Sequence, residues 1–217
     1  VIVSIARELG AGGRTVGEAV ASALGAALLD ERSVIAQLSE RHGLTAEYVA
    51  TRIERAPSAG EQLIANLAAA AAMLPVSPVW QAPDELVVDA VREIVLERAA
   101  LGHVVVIGHG GVSLTGWRPA GTVVLPILLR AGRAWRIDQL ARRYAIELAE
   151  ARARIDRTDE ARLRFQRHYF DCDLYDCRQY DLVLNTESLG LGRATEVACS
   201  VATTLAARSP QPASGTR

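Results

Sequence analysis

Five short apolar runs punctuate the chain, at residues 1–5, 27–29, 103–107, 122–128 and 181–184. Most are near-continuous and do not alternate with polar residues, as in Val-Ile-Val-Ser-Ile at the start and Val-Val-Val-Ile before Gly108. Such runs suit strands covered by helices on both faces, the condition of a parallel sheet. Between them apolar residues recur at helical spacing, which predicts helices over 15–24, 32–41, 45–55, 61–73, 84–100, 133–145 and 147–156. Thr45 ahead of Glu47, and Asp84 after Pro83, read as helix starts, and Gly102 closes a helix before the third strand. Strands alternating with helices predict an open α/β sheet in three layers. The first strand is expected at the centre, flanked by the third and fourth. The turn after it then lies at the switch point where such sheets bind ligands.

The chain of 217 residues suits one domain, here residues 1–207. The excursion between strands two and three, about 31–100, is too long for a plain crossover and reads as an inserted lobe. It contains a loop with Pro75, Pro78, Trp80 and Pro83. A charged excursion at about 145–180 precedes the last strand. The tail at 208–217 is rich in Ser, Pro, Gly and Ala and is expected to be disordered.

Composition narrows the function classes. Half the residues are hydrophobic, enough for a large core, and the formal net charge of −1 gives no global pull toward nucleic acid or anionic membrane. Aromatic residues make up 5%, which argues against base-stacking platforms. The alanine-rich stretch 63–74 is too short to span a bilayer and ends at Pro75. The opening strand lacks the basic and apolar regions of a secretory signal, and Cys172, Cys177 and Cys199 fit reduced thiols, so a cytoplasmic protein is expected. His168, Cys172 and Cys177 match no zinc spacing.

The chemistry concentrates first in residues 6–15, Ala-Arg-Glu-Leu-Gly-Ala-Gly-Gly-Arg-Thr, between the first strand and the first helix. Glycines let a backbone curl until several N–H groups face one anion, and the helix behind adds unsatisfied N–H groups and a positive dipole end. Gly10, Ala11, Gly12 and Gly13 are thus a phosphate cradle, Arg14 a phosphate contact, and Thr15 stands where such loops hold Mg²⁺. The usual pattern G-x-x-x-x-G-K-[ST] would need glycine at position 8 and lysine at 14. Glu8 and Arg14 stand there, and all 24 basic residues of the chain are arginine. Arginine keeps the charge and forks onto two oxygens. The plainer reading is a tight strand-to-helix turn with an exposed arginine.

A second concentration lies between strands four and five, where Arg133, Arg136, Arg142, Arg143, Arg152, Arg154, Arg157, Arg162, Arg164 and Arg167 fall. In a helix Asp156 and Asp159 share a face, with Arg162 three residues on. A solvated charged surface is one account. A lid of paired helices that closes arginines over transferring phosphate is the other.

With both regions in view the chain resembles the cytidylate kinase-like family of P-loop kinases, over nearly its whole length. Residues 5–14 are similar to that family's opening, in which Arg-Glu, Gly-x-Gly-Gly and Arg replace the lysine loop. Leu28-Leu29-Asp30-Glu31-Arg32 is similar to its acceptor-facing segment, and Val106-Ile107-Gly108-His109-Gly110 to its Ile-Gly-Arg-Gly turn. Trp135-Arg136-Ile137, residues 155–162 and Tyr180-Asp181-Leu182-Val183-Leu184-Asn185-Thr186 resemble its fourth-strand helix, lid and last strand.

The resemblance implies a three-layer P-loop kinase fold and an ATP- and Mg²⁺-dependent transfer to a pyrimidine nucleoside monophosphate, CMP or dCMP. The partners implied are small-molecule nucleotides. It implies that the loop and Thr15 hold the donor, that Asp30, Arg32, His109 and Asp159 lie toward the acceptor, and that Arg14, Arg154, Arg157, Arg162 and Arg167 neutralise the moving group. His109 replaces the family's arginine. A neutral histidine cannot fork onto phosphate. It either changes the acceptor site or caps the glycine turn. A kinase for another small acceptor and a non-catalytic nucleotide-binding module remain open alternatives.

Overall fold

The computed structural model describes residues 1–42, 84–108 and 121–208. The expected helices at 45–55 and 61–73, the Pro75–Pro83 loop, the His109 turn and residues 209–217 lie outside them.

Five strands form one sheet: β1 (Ile2–Arg7), β2 (Ala27–Leu29), β3 (Val104–Ile107), β4 (Val124–Arg130) and β5 (Leu182–Asn185). Their order is β2-β3-β1-β4-β5 and every pairing is parallel. β1 is central, with Ile2 opposite both Val104 and Val124. The strands begin and end within a residue or two of the apolar runs. β4 runs on to Arg130, because its pairing continues alongside β1 to Arg7 and alongside β5 to Asn185.

The helices are α1 (Gly13–Leu24), α2 (Glu31–His42), α3 (Asp84–Leu101), α4 (Arg133–Tyr144), α5 (Leu148–Phe170), α6 (Thr186–Leu189) and α7 (Leu191–Arg208). The pleat of β1 sends Ile2 to one face of the sheet and Val3 and Ile5 to the other. On the first face Ile2 packs with Val34 and Leu38 of α2 and Ile94 and Val95 of α3. On the second, Val3 and Ile5 pack with Val16 and Val20 of α1 and with Ala194, Ala198 and Ala202 of α7. Ile5, Ile127 and Leu129 are fully buried. Cutting one back to alanine costs about 2–5 kcal/mol in such a core.

Three elements differ from expectation, one of them the short α6, which was not anticipated. The helix anticipated at 147–156 continues unbroken to Phe170. It runs on through Asp156, Thr158 and Asp159, and its two aspartates bond to Arg133 and Arg136 of α4. No glycine or proline falls between Leu148 and Phe170 to end it. α7 was not anticipated, and Arg208, assigned to the tail, is its last residue. No described helix is long and apolar enough to cross a membrane.

Candidate phosphate-binding site

The turn after β1 is built from both sides. The Glu8 N–H donates to the Leu129 carbonyl at 3.1 Å, and the buried Glu8 carboxylate accepts from the Ala131 N–H at 2.9 Å. The Ala11 N–H returns to the Glu8 carbonyl at 3.1 Å, and the Ala11 side chain is buried in the core. Gly10 and Gly12 have φ of +88° and +84°, the left-handed region that other residues enter at a cost. A Cβ on Gly10 would sit 2.8 Å from the Arg136 carbonyl oxygen, and one on Gly12 would strike Leu191. Gly12 is also the N-cap of α1 and offers no side-chain cap. The first-turn N–H groups of α1 therefore point outward with the helix dipole behind them.

They open onto a cleft of about 460 Å³. Gly10, Gly12, Gly13, Arg14 and Thr15 line it from the loop side, Asp30 and Arg32 from the end of β2 and the start of α2, and Arg162 from α5. Arg14 does not hang free over the loop. Its Nη2 donates to Asp30 Oδ2 at 2.6 Å and its Nε to Glu18 Oε1 at 3.0 Å. Asp30 is itself fixed in a capping turn, accepting from the Ser33 N–H at 3.0 Å while the Asp30 N–H donates to Ser33 Oγ at 2.9 Å.

A second hollow of about 610 Å³ adjoins this cleft, sharing Leu9, Leu140, Tyr144 and Arg162 with it. Arg154, Arg157 and Arg164 of α5 line it. The Arg154 guanidinium lies 5.2 Å from the centre of the Tyr144 ring, a cation–π distance. Arg164 pairs with Glu160. Arg167 lines neither hollow and stands 3.9 Å from Asp173 on an exposed surface.

The two aspartates of α5 face α4. Asp156 pairs with Arg133 at 2.6 Å, and that hydrogen bond holds its carboxyl below the ordinary range. Asp159 lines neither hollow: Oδ2 accepts from Arg136 at 2.6 Å and Oδ1 from the Leu9 N–H at 2.9 Å. Arg162 donates to the Arg7 carbonyl at 3.2 Å.

Several residues of the site had no role assigned from the sequence. Glu8 and Arg136 are buried beneath the loop. Trp135, Gln139 and Arg143 line the cleft from α4 at four-residue spacing. That spacing was visible in the sequence. The burial of Arg136 was signalled only by its position four residues before the apolar Leu140.

A parallel sheet in this order, with a glycine loop running from its central strand into an uncapped helix, is the P-loop kinase fold. Within that class the chain belongs to the cytidylate kinase-like family, whose model matches residues 2–188. Membership of that family supports a phosphotransferase. No curated protein matches the chain by sequence. Among solved structures, an uncharacterized protein from Eubacterium ventriosum ATCC 27560 superposes with a TM-score of 0.63 at 14% identity, covering 94% of this chain and 99% of that one. TT1252 from Thermus thermophilus gives 0.48 at 18% identity, covering 97% and 98%. Shikimate kinase from Bacteroides thetaiotaomicron gives 0.45 at 14%, covering 94% and 97%.

Proposed function

We propose that this chain is a Mg²⁺-dependent kinase that moves the γ-phosphoryl group of ATP to the phosphate of a pyrimidine nucleoside monophosphate, CMP or dCMP. One observation carries the reading. The cleft that receives the uncapped N-terminus of α1 is walled on its other sides by Asp30, Arg32 and Arg162. A donor phosphate chain and an acceptor can therefore meet in one place.

In this reading the N–H groups of the Gly10–Ala11–Gly12–Gly13 turn and of Arg14 and Thr15 hold the β-phosphate. The donor set fits: the helix end is uncapped, and Thr15 is exposed in the cleft. The Thr15 hydroxyl would hold Mg²⁺. Phosphate oxygens and water would complete its shell, as Mg²⁺ commonly keeps several waters. The bound metal would neutralise charge on the β- and γ-phosphates.

Asp30 and Arg32 engage the acceptor. Its phosphate oxygen forms a bond to the γ-phosphorus as the bridging P–O bond breaks and ADP leaves. In this reading Arg14 and Arg162 from the cleft, and Arg154 and Arg157 from the adjoining hollow, offset charge on the moving group. Such positioning and charge neutralisation are most of what phosphoryl transfer asks of a protein. Arg167, which lines neither hollow, has no part in this reading. Asp159 serves the acceptor only indirectly, through Arg136 and Leu9. The partners are small nucleotides and the setting is cytoplasmic.

The test is ADP release from ATP and Mg²⁺ over a panel of CMP, dCMP, UMP, AMP and non-nucleotide acceptors, beside a thermal-shift titration with each. Turnover fastest with CMP or dCMP is expected. ATP stabilisation without turnover of any acceptor would reduce the chain to a nucleotide-binding module.

A further inference from the structure

The Arg136–Asp159 pair grips Leu9, at the loop entry, by both of its backbone polar groups. Arg136 Nη1 donates to the Leu9 carbonyl at 3.1 Å, and the Leu9 N–H donates to Asp159 Oδ1 at 2.9 Å. The circuit closes through Arg136 Nη1 and Asp159 Oδ2 at 2.6 Å. Arg136 Nε also donates to the Ala131 carbonyl at 3.1 Å and lies 3.6 Å from Glu8 Oε2. The Arg136 side chain is 7% exposed and that of Asp159 14%. A buried charge of either sign left without its partner is costly, so this geometry tolerates little play.

Two more ties fasten α5, one helical turn to either side: Asp156 to Arg133, and Arg162 to the Arg7 carbonyl. The three anchors follow one another at three-residue steps. Arg154, Arg157 and Arg164 stand on the helix face that lines the second hollow. The helix that carries the arginines is thus fastened along the same stretch that presents them.

We infer that Arg136 and Asp159 are positioning residues that lock α5 to Leu9, so that the arginine face reaches the cleft from a fixed helix and closure is left to side chains. This rests on the phosphoryl-transfer reading for its effect on turnover, but the anchoring itself is independent of it. A swinging lid would have to break three ties, one of them buried. A fixed rail lets the loop and the arginines keep register, since both are tied to Leu9.

The experiment has two arms. Asp159→Asn keeps the shape and removes the charge. It is expected to lower kcat by about 10–100-fold while KM for ATP changes less than about 3-fold. Asp159→Glu should restore part of the loss if charge at that position is what matters.

The second arm needs no turnover. Spin labels at Ala153→Cys on α5 and Ser22→Cys on α1, with the three native cysteines replaced by serine, report the distance between the elements. Adding ADP, Mg²⁺ and aluminium fluoride should move it by less than about 3 Å in the parent, against the larger shifts of hinged lids. The distribution should broaden in Asp159→Asn. A larger displacement in the parent overturns the fixed helix. Unchanged kcat and an unchanged distribution in Asp159→Asn remove the positioning role. If the parent turns over no acceptor, the kinase reading fails, while the label distances still decide whether α5 is locked.

Discussion

Arg14 and Asp30 reach across the cleft to each other, with 2.6 Å between guanidinium nitrogen and carboxylate oxygen. One residue belongs to the loop read as the donor site, the other to the segment read as the acceptor site. The two halves of the site are therefore joined by an ion pair. Both side chains are partly exposed, so the pair itself contributes no more than about 1 kcal/mol.

Replacing Arg14 should separate function from folding. Arg14→Ala is expected to cut phosphoryl transfer by about 10²-fold or more, while stability falls by about 1 kcal/mol or less. Arg14→Lys should keep part of the activity, because the charge stays and the fork is lost. Steady-state kinetics and thermal melts of the three forms check it. Normal turnover by Arg14→Ala would mean that the loop is not the donor site.

Asp30→Asn should loosen Arg14 without removing it. With the competing carboxylate gone, KM for ATP is expected to fall about 2–5-fold, the scale of an exposed ion pair. KM for the acceptor should rise if Asp30 contacts it. A change in both constants in the same direction would contradict that division of roles.

Arg157 and Arg162 should part company. Arg157 lines the second hollow, and no hydrogen bond or ion pair to it is seen among the described residues. Arg157→Ala is expected to lower kcat more than it weakens ATP binding, since its charge would be used mainly in the transition state. Arg162 is buried and bonded to the Arg7 carbonyl. Arg162→Ala should lower kcat and also cost about 1–3 kcal/mol of stability for the orphaned carbonyl. Urea melts of both variants beside their kinetics make the comparison.

Much of the fold was legible because its signals are local. The β strands show as runs of Val, Ile and Leu, and the central place of β1 follows from the glycine turn behind it. The glycine turn between β1 and α1 was visible for the same reason, with its glycines and Arg14 adjacent in sequence. What stayed hidden depends on distant partners. Glu8, Arg136 and Asp159 meet under the loop although more than a hundred residues separate the first from the other two. α5 extends past the expected 147–156 to Phe170, through a run dense in charged residues where the apolar helical period is weak. α7 was missed because its buried stripe is Ala194, Ala198 and Ala202, too weak in hydrophobic contrast to stand out among alanines and threonines.

Tyr175 offers a pH test of the network behind the loop. Burial first, then the nearby charges of Asp159 and Glu8, push its phenol up to about 12, against the opposing influence of Arg136 and Arg130. The folded form holds its proton above the pH where an unfolded chain releases it. The stability from this group is whole below about pH 10 and is lost as pH rises from there toward 12. Absorbance titration at alkaline pH should show a tyrosine that ionises late. Asp159→Asn should bring that ionisation to lower pH, and an unmoved titration would place Tyr175 outside the influence of Asp159.

The alanine stripe of α7 has a consequence for evolution and engineering. Along the stripe, Ala194, Ala198 and Ala202 bring only a methyl group each into the core shared with Val16 and Val20 of α1, and all three are fully buried. A larger residue at position 198 has nowhere to go except against α1. It would tip the rod whose far end opens onto the cleft, and at that end a small tilt becomes a displacement of the glycine turn. Substitutions on the back of the molecule can therefore detune the site while every residue that lines it is unchanged.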